Sequence, residues 1–221
     1  IMNFRIDKST ILNKVSLLDS VVSAKSTIPI LDNILFKIDG HKLSLTASDL
    51  ETTLVAEIGL LQEGENGQVC LPSKLLRTAL AKLPDTELFF DINDSTQQCV
   101  VTYGSKGSFQ IQGYDAFDYP TQDCDSIKNS VNIPQNDFKA MLSKCQPFIS
   151  ADELRLIMNG ILIDSKDNKL IFVATDAHKL IRQGLDISAD EFSVVIPNKA
   201  VSVIIKSLSN KDVLCTLSTN D

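Results

Sequence analysis

Blocks of this sequence recur in the same order at a separation of about 127 residues, and a repetition on that scale settles the architecture before any other feature does. Asn33-Ile34-Leu35 reads against Gly160-Ile161-Leu162, with Asn159 just before, at an offset of 127. Leu43-Ser44-Leu45-Thr46-Ala47-Ser48-Asp49 reads against Leu170-Ile171-Phe172-Val173-Ala174-Thr175-Asp176 at the same offset. Phe4-Arg5-Ile6 falls opposite Val131-Asn132-Ile133, again at 127, and Pro72-Ser73-Lys74 falls opposite Pro197-Asn198-Lys199 at 125. The period is too long for a solenoid repeat, so it marks duplication of a whole domain. A chain of 221 residues has room for two domains of ordinary size.

Each copy opens with a short alternating strand, Met2–Asp7 or Ser130–Pro134. A helix follows in each. The first begins at Asp7, a plausible N-cap, with Ile11, Leu12, Val15, Leu18 and Val22 on one stripe; the second carries Phe138, Met141, Leu142 and Cys145 and stops before Pro147. The next strands are predicted at Ile34–Ile38, Lys42–Ala47 and Thr52–Leu60, with Asp39-Gly40 as a hairpin turn, and at Ile161–Asp164, Lys169–Thr175 and Leu180–Leu185. A fourth strand, Gln68–Leu71 or Ser193–Ile196, runs through a proline into a second helix, Ser73–Leu83 or Asn198–Leu208. Copy one adds Glu87–Asp91, Gln98–Tyr103 and Ser108–Gln112, whereas copy two supplies only Asp212–Leu217. Residues 113–129 read as a linker, and the domains are placed at 1–122 and 123–221, the second incomplete at its C-terminus.

The net charge of −7 would ordinarily argue against a polyanionic partner, but the charge is not evenly spread. The helical stretches 8–25, 73–82, 136–146 and 198–208 carry +8 between them, leaving −15 for the rest. On the second helix of copy one, Leu75, Leu76, Ala79, Leu80 and Leu83 share a face while Lys74 and Arg77 point away. Its counterpart opposes Val201, Ile204, Ile205 and Leu208 to Lys199 and Lys206, and Lys139 and Lys144 flank the polar face of the helix that opens copy two. Basic helices in an acidic chain suit attraction of phosphates without base reading. The alternative is that these cations merely solubilise exposed helix faces.

The segments Thr27-Ile28-Pro29-Ile30-Leu31-Asp32-Asn33-Ile34-Leu35, Leu43–Glu51 and Val173-Ala174-Thr175-Asp176-Ala177-His178-Lys179-Leu180 resemble the β subunit of bacterial DNA polymerase III, the DNA sliding clamp. The last is close to the family's ATDGHRL signature, and the likeness covers residues 2–221. It implies an α+β DNA clamp fold of tandem domains, each with two helices packed on antiparallel sheets. It also implies a third domain absent from this sequence, and a head-to-tail homodimer that encircles double-stranded DNA without sequence specificity. The partners so implied are DNA polymerase and clamp-loader subunits, which dock short peptide motifs.

Residue by residue, Lys25 and Lys74 match positions where the family commonly has arginine facing DNA; lysine keeps the charge but loses the bidentate fork. The family's DNA-touching loop corresponds to Asp152-Glu153-Leu154-Arg155-Leu156-Ile157, here without an aromatic. Thr175, Ala177, His178, Lys179 and Leu180 match one wall of the peptide groove, with Ala177 where the family has glycine and Lys179 where it has arginine. Phe109 and Ile111 match the strand that meets the other subunit. The basic helix faces and these matched positions together set the expected DNA contacts at Lys25, Lys74, Arg77, Lys139, Lys199 and Lys206.

An enzyme is the rival class. Only His41 and His178 offer imidazole chemistry, and Asp176 with His178 share a strand face whether or not they react. GxSxG, HExxH, P-loop and GxGxxG motifs are absent, so neither catalytic residues, nor a metal, nor a cofactor is expected. A scaffold that docks peptides without a DNA role is the second rival. The cysteines at 70, 99, 124, 145 and 215 form no CxxC pair and are expected to be reduced thiols of a cytoplasmic protein. No run of eighteen apolar residues spans a membrane, the N-terminus lacks a signal-peptide pattern, and Met2 reads as the natural first residue.

Overall fold

The computed structural model describes residues 2–22, 28–105, 107–120, 127–152, 154–209, 211 and 213–220. Lys25, Cys124, Glu153 and Asp212 lie outside them. The chain divides into two compact units, Ile1–Gln122 and Asp123–Asp221.

Unit 1 runs β1 (Met2–Asp7), α1 (Lys8–Asp19), a 3₁₀ turn (Pro29–Asp32), β2 (Asn33–Asp39), β3 (Lys42–Ser48), β4 (Thr53–Gly59), β5 (Gly67–Pro72), α2 (Ser73–Lys82), β6 (Glu87–Ile92), β7 (Gln98–Tyr103) and β8 (Gly107–Gln112). Two antiparallel four-stranded sheets result, ordered β1-β6-β7-β8 and β4-β3-β2-β5. Unit 2 runs β9 (Asn129–Pro134), α3 (Gln135–Cys145), a 3₁₀ turn (Gln146–Phe148), β10 (Gly160–Lys166), β11 (Lys169–Thr175), β12 (Leu180–Asp186), β13 (Phe192–Pro197), α4 (Asn198–Ser207) and β14 (Leu214–Thr219). Its sheets are β12-β11-β10-β13 and the pair β14-β9.

The duplication holds to the single residue. Leu35 pairs with Thr46 and with Cys70, as Leu162 pairs with Val173 and with Val195. Phe4 pairs with Phe90, as Val131 pairs with Leu217. The offset, 127 residues for most strands and 125 for β5 against β13, is therefore a register, fixed because a one-residue slip would turn the buried residues of a strand outward.

In unit 1 the core joins the two sheets through aromatic rings. Phe4 and Phe90 stack with centroids 4.6 Å apart and planes 7° apart, and Phe36, from the other sheet, lies 6.5 Å from each. All three are buried, with Ile11, Val15 and Leu18 of α1 and Leu76 and Leu80 of α2 also inside. Unit 2 replaces the stack with aliphatics and sets Phe138 against Phe172 at 6.1 Å. The inward residues Cys215 and Leu217 of β14 remain partly exposed, because among the described residues β14 is paired on one side only.

The two helices of each unit are clasped at the same point by different chemistry. In unit 1, Ser73 Oγ donates to Asp19 Oδ1 at 2.6 Å and Arg77 Nε pairs with Asp19 Oδ2 at 2.9 Å. In unit 2 the matching residues are Gln146 and Ser202, joined by Gln146 Nε2 donating to Ser202 Oγ at 2.9 Å.

Several sequence expectations are corrected. Asp7 has the extended backbone of an N-cap but makes no side-chain capping bond, and Val21 rather than Val22 is buried. Leu75 is exposed at the margin of the α2 stripe, and Val203 is an added buried position on α4. The stretch 113–120 is packed rather than a free linker: Tyr114 exchanges two backbone hydrogen bonds with Cys70, and Ala116 and Tyr119 are buried. Cys70, Cys99, Cys145 and Cys215 are free thiols. Burial pushes Cys70 and Cys99 up to about 12, so they stay protonated and behave as small apolar groups.

Phe90→Ala removes one ring of the close Phe4–Phe90 stack and its contact with Phe36, and a loss of about 3–5 kcal/mol in urea denaturation is expected. A loss below about 1 kcal/mol would show that the rings do not hold the two sheets together.

Candidate functional site

The helices α1 to α4 together carry +7, counting Lys8, Lys14, Lys74, Arg77, Lys82, Lys139, Lys144, Lys199 and Lys206 against Asp19 and Asp137. Their cations are not equivalent. Lys82, Lys144 and Lys206 sit in last turns, where the helix dipole favours a positive charge. Lys74 and Lys199 occupy matching positions in the first turns of α2 and α4, where neither helix has an acidic residue. A cation there opposes the dipole by about 0.3–1 kcal/mol, so helix stability does not account for this pair. Each instead adds to the positive end of a helix, which is where anions bind.

Two predicted contacts have other work. Arg77 is engaged by Asp19, and Lys139 donates through Nζ to the carbonyl oxygen of Leu208 at 3.0 Å, closing the end of α4. Lys74 and Lys206 are exposed and Lys199 is half-buried. Lys25 lies outside the described residues.

Thr175, Ala177, His178, Lys179 and Leu180 come together in the turn between β11 and β12. The Asp176 carboxylate accepts from the backbone N–H of Lys179 at 2.9 Å and of His178 at 3.0 Å. Thr175 Oγ1 donates to the Lys179 carbonyl and accepts from the Ala177 N–H. These two N–H bonds, Lys179 first, hold the Asp176 carboxyl below the usual carboxylate range. Asp176 is thus a turn former occupied by backbone, which argues against a dyad with His178. Lys179 reaches back, donating through Nζ to the Pro147 carbonyl at 2.7 Å and lying 5.4 Å from the Phe148 ring centroid. His178 and Leu180 are left exposed beside this anchored turn.

The backbone explains one oddity of composition. Ala177 has φ +75°, the left-handed region that favours glycine. Unit 1 repeats the turn at Ser48–Thr53, where Asp49 Oδ1 accepts from Glu51 and Thr52 and Leu50 has φ +76°.

In the loop 152–157, Arg155 pairs with Asp152 at 3.2 Å, while Leu154, Leu156 and Ile157 are 92%, 79% and 84% exposed. These three side chains present apolar surface to solvent. On β8 the partner strand residues differ: Phe109 is partly exposed, but Ile111 faces its own core. What Ile111 offers outward is the backbone edge of β8, the last strand of its sheet. Among the described residues no group of three or more His, Cys, Asp or Glu side chains could hold a metal ion.

Residues 2–123 match the family model of the DNA polymerase III beta subunit, N-terminal domain, and residues 132–221 match that of its central domain. The chain belongs to the DNA polymerase III beta subunit family. The beta sliding clamp of Pseudomonas aeruginosa is 28% identical over 214 residues, covering 96% of this chain and 58% of that relative. That of Caulobacter vibrioides is 29% identical over 205 residues, covering 90% and 54%. A crystal structure of a DnaN sliding clamp from P. aeruginosa bound to griselimycin superposes with a TM-score of 0.92 at 27% identity, covering 98% of this chain and 59% of that one. The DNA clamp fold, α+β, is therefore that of the DNA polymerase III beta subunit family. This chain spans about 58% of the length of that Pseudomonas relative.

The two helix clasps and the Lys179–Pro147 anchor were not foreseen in the sequence. The Asp19/Gln146 and Arg77/Ser202 exchanges change residue type at matched positions, so no repeat signal marks them.

Ala177→Gly relieves the left-handed alanine, and a gain of about 0.5–1 kcal/mol in urea unfolding is expected; a loss would mean that the turn does not strain there. Because the folded pKa of Asp176 is depressed, the stability it contributes is present above the unfolded carboxylate value and is lost as pH falls through the lowered one. In an NMR pH titration Asp176 should titrate below the ordinary aspartate value, with the His178 and Lys179 amides following at the same midpoint. A midpoint at or above that value would detach the carboxylate from the turn.

Proposed function

We propose that residues 1–122 and 123–221 are the first and second domains of a DNA polymerase processivity factor, a ring subunit that holds a replicative polymerase on duplex DNA. The observation that carries this is the pairing of family membership with Lys74 and Lys199, matched cations set against their helix dipoles. Lysines at helix N-termini attract phosphates without reading bases, and few, weak contacts permit sliding. Lys206 adds a further exposed cation on α4; Arg77 is engaged by Asp19 and Lys139 by the Leu208 carbonyl. The acidic remainder of the chain repels DNA elsewhere.

In this role the protein is a non-catalytic accessory of the bacterial cytoplasm. The turn bearing Thr175, Ala177, His178, Lys179 and Leu180 forms one wall of a groove for short peptide motifs of polymerase and clamp-loader subunits. The outer edge of β8, with Phe109, meets the other subunit of a head-to-tail homodimer, the buried Ile111 keeping that strand in place.

A protein of the relatives' length that begins with this chain is expected to remain on nicked circular plasmid and to leave when the plasmid is linearised. Equal loss from both forms would refute topological linkage. In that protein, Lys74→Ala with Lys206→Ala should lower the slope of log K against log salt by about two. An unchanged slope would remove these lysines from the DNA surface.

A further inference from the structure

The turn between β11 and β12 carries a cation that its internal copy lacks. Within this turn the Asp176 N–H donates to the Lys179 carbonyl at 3.3 Å, and the Ala177 N–H donates to Thr175 Oγ1 at 3.1 Å. In unit 1 the Asp49 N–H donates to the Thr52 carbonyl at 3.2 Å, and the Leu50 N–H donates to Ser48 Oγ at 3.2 Å. The left-handed residues agree as well, Leu50 at φ +76° and Ala177 at +75°. At the position of Lys179, however, unit 1 has Thr52. The turn keeps its shape without a lysine, so what the Lys179 side chain adds lies outside the turn.

Among the described residues, the bond from Lys179 Nζ to the Pro147 carbonyl, 2.7 Å, is the one hydrogen bond that leaves residues 176–179 for another element. Pro147 belongs to the 3₁₀ turn that continues α3, a helical end where carbonyls lack partners of their own and a positive charge is favoured. The same ammonium lies 3.7 Å from Asp176 Oδ2 and 5.4 Å from the Phe148 ring centroid. The preceding residue, Gln146, donates through Nε2 to Ser202 Oγ of α4 at 2.9 Å. Three consecutive residues thus hold the β11–β12 turn on one side and α4 on the other. In unit 1 the place of Pro147 is taken by Ser20, whose hydroxyl turns back to the Leu17 carbonyl of its own helix at 2.6 Å.

We propose that Lys179 and Gln146 are positioning residues for this turn: through the 3₁₀ turn at Gln146–Phe148 they brace it on α4, and so set the place of His178 and Leu180 before any ligand arrives. Lys179 acts as a strut, its ammonium engaged by Pro147 rather than by a peptide. The inference rests on the groove reading only for what His178 and Leu180 then meet. The bracing itself is a property of the free chain, so its failure and that of the groove are separate results. It follows that α4, which carries Lys199 and Lys206, shares one support with the turn, and a change at Ser202 reaches the turn from another element.

The test is ¹⁵N relaxation and ¹³C carbonyl shifts of the free chain. Lys179→Met keeps the aliphatic length and removes the donors. In that variant the Pro147 carbonyl carbon should move upfield, and the backbone order parameters of Ala177 and His178 should fall from about 0.85 to below about 0.6. Lys179→Arg should restore both, because a guanidinium donates to the same carbonyl. Ser202→Ala should lower the same order parameters. The urea midpoint of the two Lys179 variants should stay that of the unaltered chain, since the lysine is half-exposed. Unchanged order in Lys179→Met, or no recovery in Lys179→Arg, would overturn the strut. An effect of Ser202→Ala confined to α3 and α4 would overturn the brace on α4. A urea midpoint that falls together with the turn's order would overturn the positioning role and make Lys179 a support of the whole unit.

Discussion

Because side chains alternate along a strand, a slip of one residue in β3 would bring Ser44 and Thr46 into the core and send Leu43, Leu45 and Ala47 to solvent. That penalty locks the pairing of β3 with β2 and β4, and through β2 it locks β5, whose end launches α2. The same lock operates from β11 in unit 2. Where Lys74 and Lys199 stand along their helices and where the β11–β12 turn sits follow from it. The surface chemistry of the two units can therefore diverge while the pairing of their matched strands stays the same.

The divergence is where function enters. Unit 1 spends its aromatic residues inside, on the Phe4–Phe36–Phe90 stack, and closes its outer apolar cluster with Tyr119. Unit 2 has smaller groups in the stack positions and leaves Leu154, Leu156 and Ile157 outside. One turn geometry serves both units, yet Leu50 stands in one and Ala177, next to His178, in the other. The first-turn lysines are common to both, and nothing in helix energetics calls for them. The surface features thus fall into a shared set and a set that each unit carries alone.

Much of the fold was legible in the sequence. Alternation and the Pro72 and Pro197 punctuation located strands and second helices to within a residue or two, because a buried face imposes its period directly. The repeat offset anticipated the register. The site was legible as a set of positions, less so as a set of partners. Helical spacing put Arg77 and Lys139 on polar faces but carries no information about residues 58 and 69 positions away, and those, Asp19 and Leu208, are what hold them. Composition made 113–120 look like a linker, since Asp, Tyr and Pro are loop residues; the burial of Tyr119 depends on a cluster assembled from three other segments.

The helix clasps carry a last consequence. Asp19 and Arg77 are joined by opposite charges at a half-exposed position, and such a pair weakens as ions accumulate around it. Gln146 and Ser202 are joined by a bond between neutral groups, which ionic screening leaves nearly untouched. Two copies of one fold therefore answer differently to the salt content of their surroundings. The contact between α1 and α2 at this point weakens with added salt, whereas the one that ties α4 to the end of α3 changes little.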